Sequence, residues 1–188
     1  MLSKITRYGV IYLILFVLGG CAGITEIYDP VQLGIDGIAC VGEIEKPPAR
    51  LIQSSDKALR LQALGASGDG KLCTGRVYLA EQSVTVYRVW NSTKSYSVLG
   101  GWWSFDRPRG PRQDYRKANG ICPSWSSLDR MTSCTIKVGT KIVVGPGQSA
   151  TCENFTYPKS AVNQVYIPND SRNDLIFVEN CTAGLPWP

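Results

Sequence analysis

Cationic and aromatic side chains alternate over residues 102–125, and this composition indicates a binding surface. Four arginines and one lysine face only two aspartates there, which gives the segment a net charge of +3. Arginine among aromatic rings recognises phosphates, carboxylates and sugars by bidentate hydrogen bonding and stacking. We therefore predict that this segment binds an anionic polymer or a protein partner. The candidate binding residues are Trp102, Trp103, Arg107, Arg109, Arg112, Tyr115, Arg116 and Lys117.

The sequence contains no histidine, and this absence excludes several kinds of chemistry. Hydrolases with a Ser-His-Asp or Cys-His centre, and metals held by histidine, are ruled out. The cysteines are widely spaced, without a Cys-x-x-Cys pair, so we expect neither a zinc site nor thiol redox catalysis. We expect no metal and no cofactor, and we favour a protein without enzymatic activity over an enzyme.

A second candidate site begins with Thr-Val-Tyr-Arg at residues 85–88, followed by Gly-Gly-Trp-Trp-Ser at residues 100–104. This pattern resembles the opening of the mono-ADP-ribosyltransferase toxins, in which a strand arginine binds the phosphates of NAD. Arg88 is the matching arginine. Ser126, within Ser-Trp-Ser-Ser, stands for the family's Ser-Thr-Ser segment. The family's late-strand glutamate has no counterpart, because the matching stretch, Asn-Gln-Val-Tyr at residues 163–166, contains Gln164 and no acid.

Arg88 in this candidate site has two possible functions. If the resemblance extends to a site, Arg88, Ser126 and Gln164 line one cleft, and the chain is a degenerate NAD-binding enzyme of that type. Otherwise Arg88 is an ordinary strand arginine on an exposed sheet face, away from the other two.

Short runs of β-branched and aromatic residues recur from residue 72 onward and predict strands that would position these residues. We predict three hairpins: one turning at residues 81–82, one at 139–140 and one at 168–171. The predicted strands are residues 76–80, 83–90, 96–99, 102–105, 133–138, 141–144, 163–167 and 174–179.

The remaining segments predict a helix and a loop. Residues 54–64 fit two structures: Leu59, Leu61 and Ala63 alternate with polar residues as in a strand, whereas Ser-Ser-Asp at residues 54–56 would cap a short helix that Gly65 would stop. We favour the helix. Pro108, Gly110 and Pro111 predict a long loop in the middle of residues 102–125. The fold class is therefore mainly β: an antiparallel sheet, barrel or sandwich of about six to eight short strands.

Six cysteines follow Cys21, an even number that predicts three disulfides in an exported chain. Sequence alone does not fix the pairing, although the short spacing favours a local bridge between Cys122 and Cys134. The six cysteines are Cys40, Cys73, Cys122, Cys134, Cys152 and Cys181.

The N-terminus carries Lys4 and Arg7, then an apolar run over residues 8–18 that is too short to span a bilayer. The run ends in Leu-Gly-Gly-Cys at residues 18–21, which resembles the lipobox of bacterial lipoproteins. The resemblance implies that Cys21 is acylated after the signal peptide is removed. With Ala at residue 22, it also implies the periplasmic face of the outer membrane.

This interpretation divides the chain into a signal peptide (1–20), a lipidated tether (21–53) and one disulfide-braced domain (54–188). Loss of Lys4 and Arg7 lowers the formal net charge from +5 to +3, so we expect no nucleic-acid partner. We expect a membrane-anchored, non-enzymatic subunit of a secretion, conjugation or surface apparatus, or a binder of an envelope polymer. The alternatives are the NAD-binding enzyme and an exclusion or immunity lipoprotein that binds one partner.

Overall fold

The computed structural model describes residues 31–188, so the signal peptide and Cys21 lie outside the described residues. The described chain is mainly β, which confirms the predicted fold class. Its strands are β1 (Leu51–Gln53), β2 (Arg76–Ala80), β3 (Thr85–Trp90), β4 (Trp102–Trp103), β5 (Arg130–Ile136), β6 (Lys141–Gly147), β7 (Ala150–Thr151), β8 (Thr156–Tyr157), β9 (Ser160–Tyr166), β10 (Val178–Glu179) and β11 (Leu185–Pro186). The helices are α1 (Lys57–Ala63) and α2 (Arg112–Asn119), with a 3₁₀ turn at Ser95–Ser97.

The longer strands form two antiparallel sheets. The first has the order β1-β2-β6-β9-β4. In the second, β5 pairs with β3 along its length and also with β10 and β11. One bridge between Tyr87 and Ser104 joins β3 to the residue that follows β4, with N–H to O distances of 2.8 and 2.9 Å. The short strands β7 and β8 pair with each other.

Apolar side chains from both sheets meet in one core, so the domain is a sandwich. Val86 and Ile136 of the second sheet pack in the same cluster as Ile142 and Val165 of the first. Each of these four side chains is at most 1% exposed. Side chains alternate along a strand, so each sheet presents a second face. Helix α1 covers the outer face of the first sheet. Trp187 packs with Val89 and Met131 of the second sheet, and α2 contacts this cluster through Tyr115 while it also packs on β9 of the first sheet.

The three predicted hairpins are wrong, because each predicted pair of strands is divided between the two sheets. β2, β6 and β9 belong to the first sheet, whereas β3, β5 and β10 belong to the second. The turns at residues 81–82, 139–140 and 168–171 therefore carry the chain from one layer to the other. Apolar alternation is the same for a hairpin and for such a crossing, since in both cases one side of each strand faces the core.

Helix α1 confirms the helix predicted over residues 54–64. The side chain of Asp56 caps it by accepting a hydrogen bond from the Leu59 amide at 3.0 Å. Helix α2 corrects the prediction of a loop in the middle of residues 102–125. It starts after Pro111 and ends at Gly120, whose left-handed φ of 59° closes the last turn. The buried side chains of α2 are Arg116 and Asn119. Both are polar, so a search for apolar periodicity does not detect this helix.

All six cysteines after Cys21 form disulfides, but the predicted Cys122–Cys134 pair is wrong. The bridges are Cys40–Cys73, Cys122–Cys152 and Cys134–Cys181. Cys134 lies in the core between the sheets, whereas Cys122 follows α2, so closeness in sequence does not bring them together.

The described part of the predicted tether belongs to the domain. Residues 31–188 form one compact unit. β1 pairs with β2 at the edge of the first sheet. The Cys40–Cys73 bridge joins the segment before β1 to the residues that lead into β2. The folded domain therefore begins well before residue 54.

Candidate functional site

Arg88 is a partly buried cation without an acidic partner. It lies on β3, and its side chain points to the same side of the strand as the core residue Val86. Its Nε donates to the carbonyl of Ser97 at 2.8 Å, and its Nη1 donates to the carbonyl of Trp102 at 2.6 Å. Among residues 31–188, no carboxylate lies within ion-pair distance of its guanidinium, and Nη2 makes no hydrogen bond. Burial lowers the pKa of Arg88 to about 10, so the group stays charged at neutral pH.

Gly100 makes the position of this guanidinium sterically possible. A side chain at residue 100 would overlap Nη2 of Arg88. The Gly-Gly pair noted in the sequence therefore has a packing function, since it leaves room for the arginine where the chain crosses between β3 and β4.

Two cavities meet at Arg88. The first, here the Tyr96 cavity, has a volume of about 350 Å³, and the second, here the Gln164 cavity, about 400 Å³. Arg88, Trp125 and Ser126 line both, and we call the combined space the cleft. The other side chains used below are Lys94, Tyr96, Asn169, Asp170 and Arg172 in the Tyr96 cavity, and Asp69, Lys71, Trp102, Asn119 and Gln164 in the Gln164 cavity.

The structure thus brings Arg88, Ser126 and Gln164 to one cavity. Gln164 lies on β9 and is 4% exposed. Its Nε2 donates to the carbonyl of Asn119 at 3.3 Å, while its Oε1 accepts no hydrogen bond from the described residues. Oε1 is not among the closed-off, unpaired polar atoms of residues 31–188, so it remains an accessible acceptor.

Cations outnumber acids around the cleft. Arg88, Lys94, Arg172 and Lys71 line it, against Asp69 and Asp170. Both aspartates also accept hydrogen bonds from nearby main-chain amides: Asp69 from Ala66 and Asp170 from Arg172. Aromatic rings line both halves. Tyr96 stacks under the Arg172 guanidinium at 4.3 Å, and Trp102 packs on Tyr166. This arrangement can hold an anionic group at the centre and a planar ring at either end.

The eight residues predicted as an anion-binding segment do not form one surface. Trp103 is 3% exposed and lies in the core, and Trp102 lines the Gln164 cavity. Tyr115 packs on Trp187, and burial raises the pKa of its hydroxyl to about 12. Arg112 donates to the carbonyl of Trp187 at 2.9 Å. The exposed residues of the set are Arg107, Arg109 and Lys117.

Arg116 holds the loop between α2 and β5, residues 120–129, which carries the cleft residues Trp125 and Ser126. Its guanidinium donates to the carbonyls of Ile121, Cys122, Ser126 and Ser127 at 2.6 to 3.4 Å. Burial lowers the pKa of Arg116, yet these four acceptors compensate its charge. Its function in the fold is to position Trp125 and Ser126 rather than to contact a ligand.

Asp129 fixes the other end of the same loop. It accepts hydrogen bonds from the Ser92 amide, from the Ser92 hydroxyl and from the Ser127 hydroxyl. These bonds hold the pKa of its carboxyl well below the usual value. The ionised carboxylate therefore stabilises the folded state above the unfolded pKa of about 4, and this stabilisation is lost as the pH falls through the folded pKa.

We accordingly expect Asp129→Asn to lower the Tm at pH 7 by about 2–4 °C. The difference from the unsubstituted chain should narrow as the pH falls below about 4, because the carboxyl of the unfolded chain then takes up a proton while that of the folded chain stays ionised. Thermal unfolding followed by circular dichroism from pH 3 to 7 measures this. Asp106→Asn is the control, since the Asp106 carboxylate makes no hydrogen bond within the described residues. A constant difference across the pH range would contradict the assignment.

Several cleft residues were not identified from the sequence. Tyr96 and Arg172 come from a 3₁₀ turn and a late loop, Asn119 from a helix predicted as a loop, and Asp69 from the segment between α1 and β2. No local pattern joins residues so far apart in the chain. Trp125 was noted as an aromatic residue, and its 44% exposure at the mouth of both cavities now gives it a position in the site.

These observations define a disulfide-braced β-sandwich with a cationic, aromatic-lined cleft. No protein-family model, curated protein or solved structure matches this chain. Among residues 31–188, no helix combines the length and apolar character needed to cross a bilayer, and no three acidic or cysteine side chains cluster as metal ligands.

Proposed function

We propose that the cleft binds a dinucleotide of the NAD class. The observation that carries the proposal is Arg88, a partly buried guanidinium that has no carboxylate partner among residues 31–188 and lies where two cavities meet. Partial burial of a charge without an opposite charge is unfavourable, and an anionic ligand at Nη2 would compensate it.

The shape of the cleft supports a ligand with a central anion and a ring system at each end. Each cavity lies near the lower end of the volume range of small-molecule sites. A pyrophosphate at Arg88 accepts a hydrogen bond from the free Nη2, while the flanking aromatic rings of Tyr96 and Trp102 offer stacking surfaces. The resemblance to the mono-ADP-ribosyltransferases assigns the nicotinamide end to the half that contains Gln164.

The side chain of Gln164 does not support catalysis by a general base at this site. A carboxamide hydrogen-bonds a ribose hydroxyl or an amide but does not take up a proton as a carboxylate does. β9 carries no acid at the position where the resemblance requires glutamate. The proposal is therefore ligand binding, and cleavage of the nicotinamide glycosidic bond is measured in the same experiment as a separate result.

Titration calorimetry on the mature chain tests the proposal with NAD, ADP-ribose, AMP and nicotinamide. NAD and ADP-ribose should bind, since both carry a pyrophosphate. AMP and nicotinamide should bind much more weakly, because neither spans both cavities. Chromatography of the NAD sample reports any released nicotinamide. Absence of heat and of a thermal shift with both NAD and ADP-ribose would overturn the proposal.

For location, we propose the outer-membrane lipoprotein that the lipobox implies, acylated at Cys21. Three disulfides support an oxidising compartment, where such bridges persist. Mass spectrometry of the mature N-terminus should find residue 21 as the first residue, with acyl chains on its sulfur and amine. An unmodified thiol at Cys21, or a mature chain that begins at another residue, would exclude the lipoprotein proposal.

A second candidate function is the binding of an envelope protein or anionic polymer by the exposed residues Arg107, Arg109 and Lys117. Among residues 31–188 these cations form no ion pair, which favours an external acidic partner. Crosslinking in whole envelopes should recover several components for an apparatus subunit and one for an immunity lipoprotein. Changing all three residues to serine should abolish recovery, and unchanged recovery would exclude this surface.

A further inference from the structure

Residues 31–41 present an unusual surface in which apolar side chains point to solvent. Val31, Leu33, Ile35, Ile38 and Val41 are 65%, 58%, 55%, 57% and 49% exposed. Single exposed apolar residues are common on protein surfaces, but five within eleven residues form a patch that indicates a partner.

The segment is ordered by hydrogen bonds of its own. A bridge pairs Leu33 with Ala39, the Cys40 amide donates to the Gln32 carbonyl at 2.8 Å, and the Gly34 amide donates to the Ile38 carbonyl at 2.9 Å. Residues 31–41 therefore form a small hairpin, here the N-terminal hairpin. Strand alternation places Val31 and Leu33 on one side, opposite the half-buried Gln32, and Ile35 is exposed in the turn that follows.

Polar contacts fix this hairpin to the domain with its apolar side outward. Asp36 forms an ion pair with Lys159 at 3.3 Å, with both side chains largely buried, and also accepts from Nε2 of the buried Gln148 at 3.1 Å. Lys159 Nζ also donates to the carbonyls of Ile38 and Ala39, and Cys40 is bonded to Cys73. The usual arrangement, with apolar residues inward and polar residues outward, is thus reversed.

We propose that the N-terminal hairpin inserts its apolar side chains into the surface of the bilayer that holds the lipid anchor. This inference rests on the proposed acylation of Cys21. Ten residues, 21–30, separate the anchor from the hairpin, and even a fully extended chain of that length spans at most about 36 Å. Residue 31, where the hairpin begins, therefore stays within that distance of the anchored Cys21.

A bilayer suits this surface for a chemical reason. Its interface accepts aliphatic side chains without requiring a complementary shape, and a lipid anchor is reinforced when a second membrane contact acts with it. The hairpin then sets the orientation of the domain on the membrane, because the Cys40–Cys73 bridge and the Asp36–Lys159 pair transmit its position to the sandwich.

Depth-dependent fluorescence on the lipidated chain tests this proposal. Tryptophan is introduced by Ile35→Trp in the hairpin, and by Leu175→Trp at a matched control site that is 53% exposed and distant in sequence. Each lipidated variant is reconstituted in phosphatidylethanolamine–phosphatidylglycerol vesicles with or without bromine on the acyl chains. We expect brominated lipid to quench the added emission of Ile35→Trp and to leave that of Leu175→Trp unchanged.

The outcomes separate this inference from the location on which it rests. Equal quenching of the two variants on floating vesicles would overturn the hairpin contact and leave the anchor intact. A chain that does not float with vesicles would overturn the anchor and the hairpin contact together.

Discussion

Replacing Arg88 with methionine should abolish measurable binding of NAD and ADP-ribose while the domain stays folded. Removing one partner of a buried, hydrogen-bonded charge pair typically costs about 2–5 kcal/mol of binding free energy, which corresponds to at least roughly 30-fold in Kd. Methionine retains much of the side-chain volume but removes the charge and every donor. Titration calorimetry, run beside the unsubstituted chain, measures the change.

The fold should tolerate this substitution. Arg88→Met leaves the carbonyls of Ser97 and Trp102 without their side-chain donors, but it also removes a buried charge, so the two contributions oppose each other. Arg50→Met is the matched control, because Arg50 is exposed and donates to one main-chain carbonyl, that of Ser83, away from the cleft. Unchanged ligand affinity in a folded Arg88→Met chain would exclude a ligand anion at this position.

Gly100→Ala provides an independent steric test of the same site. The added methyl would overlap Nη2 of Arg88, so the guanidinium must shift although its charge is retained. We expect weaker binding of NAD than in the unsubstituted chain, with an effect smaller than that of Arg88→Met. Equal affinity would mean that the position of Nη2 does not matter for the ligand.

The longer strands of this fold were predictable from the sequence, whereas their pairing was not. The strand predicted at residues 96–99 is wrong, because a 3₁₀ turn occupies Ser95–Ser97. The predicted strand at residues 76–80 coincides with β2, and runs near β3, β5, β6 and β9 were also found. Ile136 and Ile142 lie on either side of the turn at residues 139–140, and both face the core between the sheets. A hairpin and a crossing between layers bury the same residues, so periodicity does not distinguish the two.

For the cationic segment of residues 102–125, the sequence did not show which arginines contact a ligand and which contact the main chain. Charge and aromatic content predicted ligand contact for Arg112 and Arg116, but both guanidiniums bind main-chain carbonyls. A buried arginine with several carbonyl acceptors and a ligand-binding arginine are identical in sequence. Arg88 differs from them in the structure, since it borders the open space of the cleft and its Nη2 makes no hydrogen bond within residues 31–188.

Removing the Cys122–Cys152 bridge should both destabilise the domain and weaken ligand binding. The bridge spans 30 residues, and loop-closure entropy at that spacing predicts a loss of about 3–4 kcal/mol in the free energy of unfolding. Cys122 also anchors the loop of residues 120–129: its carbonyl accepts from Arg116 at 3.2 Å and from the Trp125 amide at 3.0 Å. Urea unfolding and NAD titration of the Cys122→Ala/Cys152→Ala chain measure the two effects.

The Cys134–Cys181 bridge separates these two effects. It spans 47 residues, so its removal by Cys134→Ala/Cys181→Ala predicts a similar loss of about 4 kcal/mol. Neither cysteine lines the cleft, and Cys134 lies in the core between the sheets. We therefore expect this variant to lose stability while it retains its affinity for NAD in the folded state. If both variants bind NAD equally well, the loop carrying Trp125 and Ser126 does not depend on its disulfide for a ligand-binding shape. If both lose binding together, affinity follows global stability rather than the local position of that loop.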